Sequence, residues 1–289
     1  MRFLVTGAGG FLGRRFAERL AEHGHDVVAT VRPGGRRASG EAVEIDVGDP
    51  AIGELVAGRD AVLHFAGVPD PTNANANPAR AVRENAGTTL NLLDACAETG
   101  AGLVYPSTIR AAADPPPDAY ALSKRLGEEV CRLHAGRATV LRLTSVFGPG
   151  QVAAEGATGA IARFTACALD GVSIRIPGDP ERGRDFVYAD DLIPLVEALV
   201  REARWGETLT AARGELTPLR RAAELVREAA GSRVEIETPG GDLARGENES
   251  YAADPTPGLA FSPRPLDEGV RLYVDWLRAH SASQGRSAA

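Results

Sequence analysis

Phe3-Leu4-Val5-Thr6-Gly7-Ala8-Gly9-Gly10-Phe11-Leu12-Gly13 is the stretch whose reading decides the fold. An apolar run without polar alternation reads as a buried strand, and an amphipathic helix pattern begins at Phe11. Gly7, Gly10 and Gly13 recur every third residue across the junction. A turn there needs unusual dihedrals, and a helix N-terminus offers unpaired N–H groups to anionic oxygens. A strand, a glycine turn and a helix in that order form a cradle for a dinucleotide pyrophosphate, with Phe11 and Leu12 lining it.

The same alternation continues outward. Strand patterns occur at 2–6, 26–30, 42–46, 61–65, 102–105 and 138–143, and helix patterns at 11–22, 79–99 and 119–134. Buried strands separated by helices predict an α/β fold, a Rossmann-type doubly wound parallel sheet. After Gly148-Pro149-Gly150 the texture changes to a Gly-rich loop at 151–159 and helices at 161–170, 217–230 and 266–280. We therefore expect a dinucleotide-binding domain over 1–150, with 187–205 returning to it. A smaller, discontinuous C-terminal substrate domain would take 151–186 and 206–280, followed by a disordered tail over 281–289.

Composition bounds the function. The chain has 289 residues, 44% hydrophobic and 25% charged, with a net charge of −7. That balance argues against nucleic-acid or anionic-membrane partners. Cys96, Cys131 and Cys167 lie far apart, outside any metal-ligand spacing, so no metal is expected and a reduced, cytoplasmic setting fits.

The chemistry lies in Tyr120-Ala121-Leu122-Ser123-Lys124. Residues four apart share a helix face, and an ammonium beside a phenol favours the phenolate, lowering a pKa of ~10. Asp118 is placed to cap this helix, and Pro115-Pro116-Pro117 forbids an earlier start. Ser107 and Thr108 close the apolar run Leu103-Val104-Tyr105 and add hydroxyls. Hydroxyl, phenol and lysine beside a dinucleotide cradle suit hydride transfer coupled to proton transfer. At the end of the second strand, Val31 and Arg32 stand where an NAD enzyme places a carboxylate. Arg32, with Arg36 or Arg37, would clamp a 2′-phosphate, so NADP is the expected cofactor and NAD the alternative. Asp46, ending the third strand and followed by Val47, would meet the adenine or cap its own strand.

Together these motifs resemble the extended short-chain dehydrogenase/reductase family of NAD(P)-dependent sugar-nucleotide epimerases, dehydratases and ketoreductases. The resemblance adds His64-Phe65-Ala66-Gly67, Asn85-Ala86-Gly87-Thr88, Arg142-Leu143-Thr144-Ser145 and Arg184-Asp185-Phe186-Val187-Tyr188. It implies that Tyr120 is the acid/base, that Lys124 lowers its pKa and holds the ribose, and that Thr108 is the catalytic hydroxyl, with Ser107 beside it as runner-up. Ala66 and Gly67 would line the cofactor pocket with their backbone, and Asn85 would either touch the cofactor or hold backbone. Ser107, Ser145, Arg184 and, more loosely, Arg245 would meet the substrate. His64 would end a buried strand, and Glu128 would be solvated.

The departures narrow this. Dehydratases of the family follow the catalytic threonine with Asp-Glu, whereas Ile109 and Arg110 follow Thr108 here, which disfavours dehydration. Ser145 replaces an asparagine that contacts substrate phosphate in many relatives. The leading expectation is NADP-dependent reduction of a nucleotide-linked ketosugar. The alternatives are a redox-neutral nucleotide-sugar epimerase, a reductase of a non-nucleotide carbonyl metabolite and a non-catalytic dinucleotide sensor. The family also implies a homodimer paired through the helices 79–99 and 119–134.

Overall fold

The computed structural model describes residues 1–35, 40–134, 137–153, 159–243 and 246–287. The chain divides into two compact units. One comprises Met1–Leu143, Leu192–Ala211 and Pro255–Phe261; the other comprises Thr144–Asp191, Ala212–Asp254 and Ser262–Ala289.

The first unit is built on a seven-stranded sheet: β1 (Arg2–Thr6), β2 (Asp26–Val31), β3 (Val43–Glu44), β4 (Ala61–His64), β5 (Gly102–Thr108), β6 (Ala138–Leu143) and an edge strand, Thr208–Ala211. The spatial order is edge strand, β6, β5, β4, β1, β2, β3, and every neighbouring pair is parallel. The chain winds outward from β1 to β3, then returns to start again at β4. This is the expected doubly wound arrangement, and its switch point lies between β1 and β4, where such sheets open a crevice at the strands' carboxyl ends. Both β4 and β5 are buried along their whole length, which is why their sequences show no polar alternation. Helices Phe11–Glu22 and Leu192–Arg201 pack together, while Ile52–Val56, Thr88–Thr99 and Ala119–Leu133 form a second group.

The second unit has its own core, in which Phe147, Phe164, Tyr188, Val226 and Tyr273 meet. Its strands are short: Ser145–Phe147 pairs with Phe186–Tyr188, and Ile174–Pro177 with Ile236–Gly240.

Several elements differ from the sequence reading. The helix expected over 79–99 is three pieces: Pro78–Val82, a π turn at Arg83–Gly87, and Thr88–Thr99. The third strand shrinks to Val43–Glu44, which leaves Asp46 in a turn beyond it. The final helix spans Leu266–Ser287, so most of the tail expected to be disordered from Ser281 continues the helix. Ser281-Ala282-Ser283-Gln284 contains no proline to stop the hydrogen-bond ladder. Residues 154–158 of the expected Gly-rich loop lie outside the described residues.

Candidate active site

At the carboxyl ends of β1 and β4 the backbone is packed against itself. Gly7 has φ +72°, and a Cβ there would lie 2.6 Å from the backbone of Phe65 and Ala66. A Cβ on Gly13 would stand 2.4 Å from the Gly7 carbonyl oxygen. These two glycines are required by helix-on-strand packing. Gly10 has another role: it is the exposed N-cap of Phe11–Glu22, with no capping side chain and no acidic residue in the first turn. Such an N-terminus leaves its amides to an anionic ligand, so the junction fits a dinucleotide pyrophosphate.

A buried polar chain braces this crevice from beneath. Thr6 Oγ1 accepts from the Ala66 amide at 3.2 Å and contacts His64 Nδ1 at 2.9 Å; Thr88 Oγ1 lies 3.2 Å from His64 Nε2 and donates to the Glu84 carbonyl at 2.6 Å. Burial, reinforced by the nearby Lys124 charge, lowers the His64 pKa to about 3, so the ring is neutral. Because the Thr88 hydroxyl proton goes to Glu84, His64 must donate from Nε2 and accept the Thr6 proton at Nδ1. His64 thus couples β1 and β4. Asn85 is likewise engaged: its carboxamide donates to the Val68 carbonyl at 3.1 Å and to Ser123 Oγ at 2.8 Å, and accepts the Val68 amide at 2.8 Å. It holds the turn at Gly67, where φ is +141° and a Cβ would lie 2.2 Å from the Asn85 oxygen. Asn85 was expected either to hold backbone or to touch cofactor, and its bonds are those of the first role: both amide protons and the oxygen are already used within the protein.

The reactive groups gather beside β5. Thr108 ends that strand and caps the following 3₁₀ turn, accepting the Arg110 amide at 3.3 Å and keeping its own hydroxyl proton to donate. Asp118 caps Ala119–Leu133, accepting the Ala121 amide at 2.8 Å, and its other oxygen accepts from the Arg110 guanidinium. Lys124 is 8% exposed; its Nζ donates to the Pro106 carbonyl at 2.9 Å and lies 4.7 Å from the centre of the Tyr105 ring. Burial lowers its pKa to about 8, against smaller opposing contributions from Cys131 and Glu128.

Tyr120 is half-buried, and burial raises its pKa to about 12. Arg110 opposes that rise, while Asp118 and Asp70 add to it. This corrects the expected pairing of charges: Lys124 points at the Pro106 carbonyl, and the cation favouring the phenolate is Arg110. Near neutral pH the phenol is therefore a proton donor.

The remaining expected positions are less uniform. Ser107 is buried and donates to Glu128 Oε1 at 2.5 Å, so its hydroxyl is turned inward and does not serve substrate as expected. Arg32 follows β2 at the surface, whereas Arg36 and Arg37 lie outside the described residues. Asp46 accepts the Gly48 amide at 2.8 Å, and Val47 is buried in the core. In the second unit, the Ser145 amide donates to the Asp185 carbonyl at 2.9 Å. The Arg184 guanidinium donates to the carbonyls of Gly183, Glu247 and Glu249. Arg245 lies outside the described residues. Among the described residues there is no cluster suited to a metal ion and no helix long and apolar enough to cross a membrane.

Two features escaped the sequence reading. Glu128, expected at the surface, is 3% exposed and gripped by Arg142. The second was visible in composition: among 32 basic residues, Lys124 is the only lysine. Lys124 is thus the one compact, titratable side-chain amine of the chain.

The model of the NAD dependent epimerase/dehydratase family matches residues 3–210. A dTDP-glucose 4,6-dehydratase of Mycobacterium tuberculosis is 28% identical, covering 96% of this chain and 93% of the relative. The crystal structure of a Thermotoga maritima UDP-glucose 4-epimerase with UDP-glucose is similar at 25% identity, with a TM-score of 0.86 and coverage of 97% and 99% of the two chains. A Thermus thermophilus UDP-glucose 4-epimerase in complex with NAD aligns at 26% identity with a TM-score of 0.79, covering 96% and 99%. The family match spans most of the chain, including the glycine junction, the switch point and the tyrosine–lysine helix: the protein belongs to the NAD dependent epimerase/dehydratase family.

Proposed function

We propose that the protein carries out oxidoreduction at one alcohol or ketone carbon of a nucleotide-linked sugar, in the redox-neutral manner of an epimerase. The observation that supports this is that Thr108 ends β5 and Lys124 Nζ meets the Pro106 carbonyl of the same strand, with Tyr120 one helical turn before Lys124. The glycine junction, including Gly10, Phe11 and Leu12, would hold the dinucleotide, with the backbone of Ala66 and Gly67 beside it. A nicotinamide dinucleotide held there would supply the hydride acceptor and donor for the substrate carbon. In the oxidising half Tyr120 would take the alcohol proton as its phenolate, the form Arg110 favours, and in the reducing half the phenol would return that proton, with Thr108 hydrogen-bonding the reacting oxygen as charge develops. Lys124 would hold the nicotinamide ribose.

The relatives include dehydratases as well as epimerases, so family alone does not select the reaction. Ile109 and Arg110 after Thr108 favour the epimerase reading, because an alkyl chain and a guanidinium are poor candidates for the additional acid and base that loss of water needs. The substrate reading rests on relatives whose names specify UDP-glucose and dTDP-glucose. Arg184 and Arg245 are the residues we assign to the diphosphate, and Ser145 to its vicinity.

One observation favours a second reading, net reduction of a ketosugar by NADPH. β2 ends on Val31 and then an exposed Arg32, with no carboxylate for the ribose hydroxyls of NAD. The test is to identify the cofactor that co-purifies and its redox state, then to supply UDP-glucose and dTDP-glucose. Tightly held oxidised cofactor with 4-epimer formation supports the epimerase. Rapidly exchanging NADPH, oxidised as a ketosugar is consumed, supports the reductase, and turnover surviving in Tyr120→Phe overturns both.

We also propose a homodimer. Leu90 on Thr88–Thr99, and Leu122, Leu126 and Leu133 on Ala119–Leu133, are exposed. A second copy would cover them, and sedimentation showing a monomer at micromolar concentration would refute this.

A further inference from the structure

Glu128 lies one helical turn beyond Lys124 and two beyond Tyr120, on the same helix. Its Oε1 accepts from Ser107 Oγ at 2.5 Å and from Arg142 Nε at 3.0 Å, and its Oε2 accepts from Arg142 Nη2 at 2.6 Å. Ser107 and Arg142 are register partners across β5 and β6, and Ser107 immediately precedes Thr108. One carboxylate therefore ties the reactive helix to the ends of two strands. Burying an ion pair rarely stabilises a fold more than apolar packing does, so stability alone gives little reason for it.

We infer that Glu128 is a positioning residue of the reaction site: it anchors the tyrosine–lysine helix to the strand that carries Thr108 and presents a fixed negative charge to the Lys124 ammonium. This inference rests on the reading of those three residues as the reactive groups.

The surroundings of Lys124 make that charge count. Its ammonium meets the Tyr105 ring and the Pro106 carbonyl, and Cys131, His64 and Glu128 lie near enough to interact with it electrostatically. Burial raises the Cys131 pKa to about 12, raises that of Tyr105 well above its ordinary value, and holds His64 neutral. Of these neighbours Glu128 is the one carboxylate, and it is bound by the Arg142 guanidinium through both oxygens. Arg142, its partner, is 27% exposed, so water screens the compensating positive charge on the far side.

Because the chain has a single lysine, the test can read that residue directly. Full-length protein grown on lysine carbon-13 labelled at Cε gives one lysine resonance, whose pH titration reports the Lys124 midpoint. Wild type should titrate near 8. In Glu128→Gln, which keeps the shape and removes the charge, the midpoint should fall by about one pH unit. Ser107→Ala, which loosens the carboxylate but leaves its charge, should lower it by less. It also stands in should Glu128→Gln fail to fold. Midpoints unchanged from wild type overturn the inference. No cofactor or substrate takes part in this titration. Failure of NADPH and NADH to bind would remove the proposed function and leave the Glu128 result standing. Normal cofactor binding with an unmoved midpoint would remove only the role of Glu128.

Discussion

Two places along the carboxyl edge of the same sheet are built in opposite ways. Beside β5, Thr108, Lys124, Ser123 and Glu128 are all buried, and each has a partner inside the protein. Beside β2 and β3, Arg32 and Asp46 stand at the surface. If the proposed roles hold, the proton-transfer geometry is fixed from the core, whereas the choice between cofactors differing by one phosphate falls to exposed side chains. The sharpest way to break this contrast is Tyr120→Phe. It removes only a hydroxyl, so turnover should fall by about 10²–10⁴-fold while the cofactor dissociation constant hardly changes. Parallel loss of cofactor affinity in a fluorescence titration would show that the two places are not separate.

The next largest effect belongs to the bracing beneath the site. His64 titrates near 3 in the folded protein, against an ordinary value of 6.5. Unfolded chains therefore bind a proton between these values that the native state refuses. Stability is full above pH 6.5 and is lost as pH falls towards 3, by up to about 5 kcal/mol from this residue alone. Denaturant unfolding from pH 7 to pH 4 should show the decline, and His64→Asn should flatten it. Equal slopes in the two proteins would place the acid sensitivity elsewhere. Gly13→Ala should cost about 1–3 kcal/mol, because its Cβ would lie 2.4 Å from the Gly7 carbonyl. Gly24→Ala is the control, since its Cβ meets nothing within 4 Å although its φ of +82° carries its own backbone cost. A smaller loss at Gly13 than at Gly24 would refute the packing argument.

What could be read from the chain follows the same division. The glycine junction and the spacing of Tyr120 and Lys124 are local: each follows from backbone sterics or helix geometry within a dozen residues, and both are found where expected. The inward commitments of Ser107, Asn85 and Glu128 are not local. Glu128 lies on a helix whose apolar pattern gives no sign that Arg142, from a strand farther along the chain, will reach its carboxylate. The π turn at Arg83–Gly87 is hidden for a related reason: an extra residue in one turn leaves the hydrophobic period almost unchanged, yet it turns Asn85 inward to Val68 and Ser123. Lys124 as sole lysine could have been counted from the sequence.

Arg32 carries the smallest expected effect and the most pointed test of the exposed place. A guanidinium that meets a 2′-phosphate in water contributes a charge-assisted hydrogen bond, worth about 1.4 kcal/mol or tenfold in affinity after screening. Arg32→Ala should therefore weaken NADPH binding about tenfold, leave NADH unchanged and leave the Lys124 midpoint where it was. Adding salt should erode the preference of the wild type for NADPH, because an exposed contact is screened within about 10 Å at 0.1 M. A preference that survived high salt would mean the phosphate is gripped in a buried pocket, and the contrast between the two places would fail. Equal binding of NADH and NADPH by the wild type would instead assign Arg32 to the solvated loop and return the cofactor to NAD.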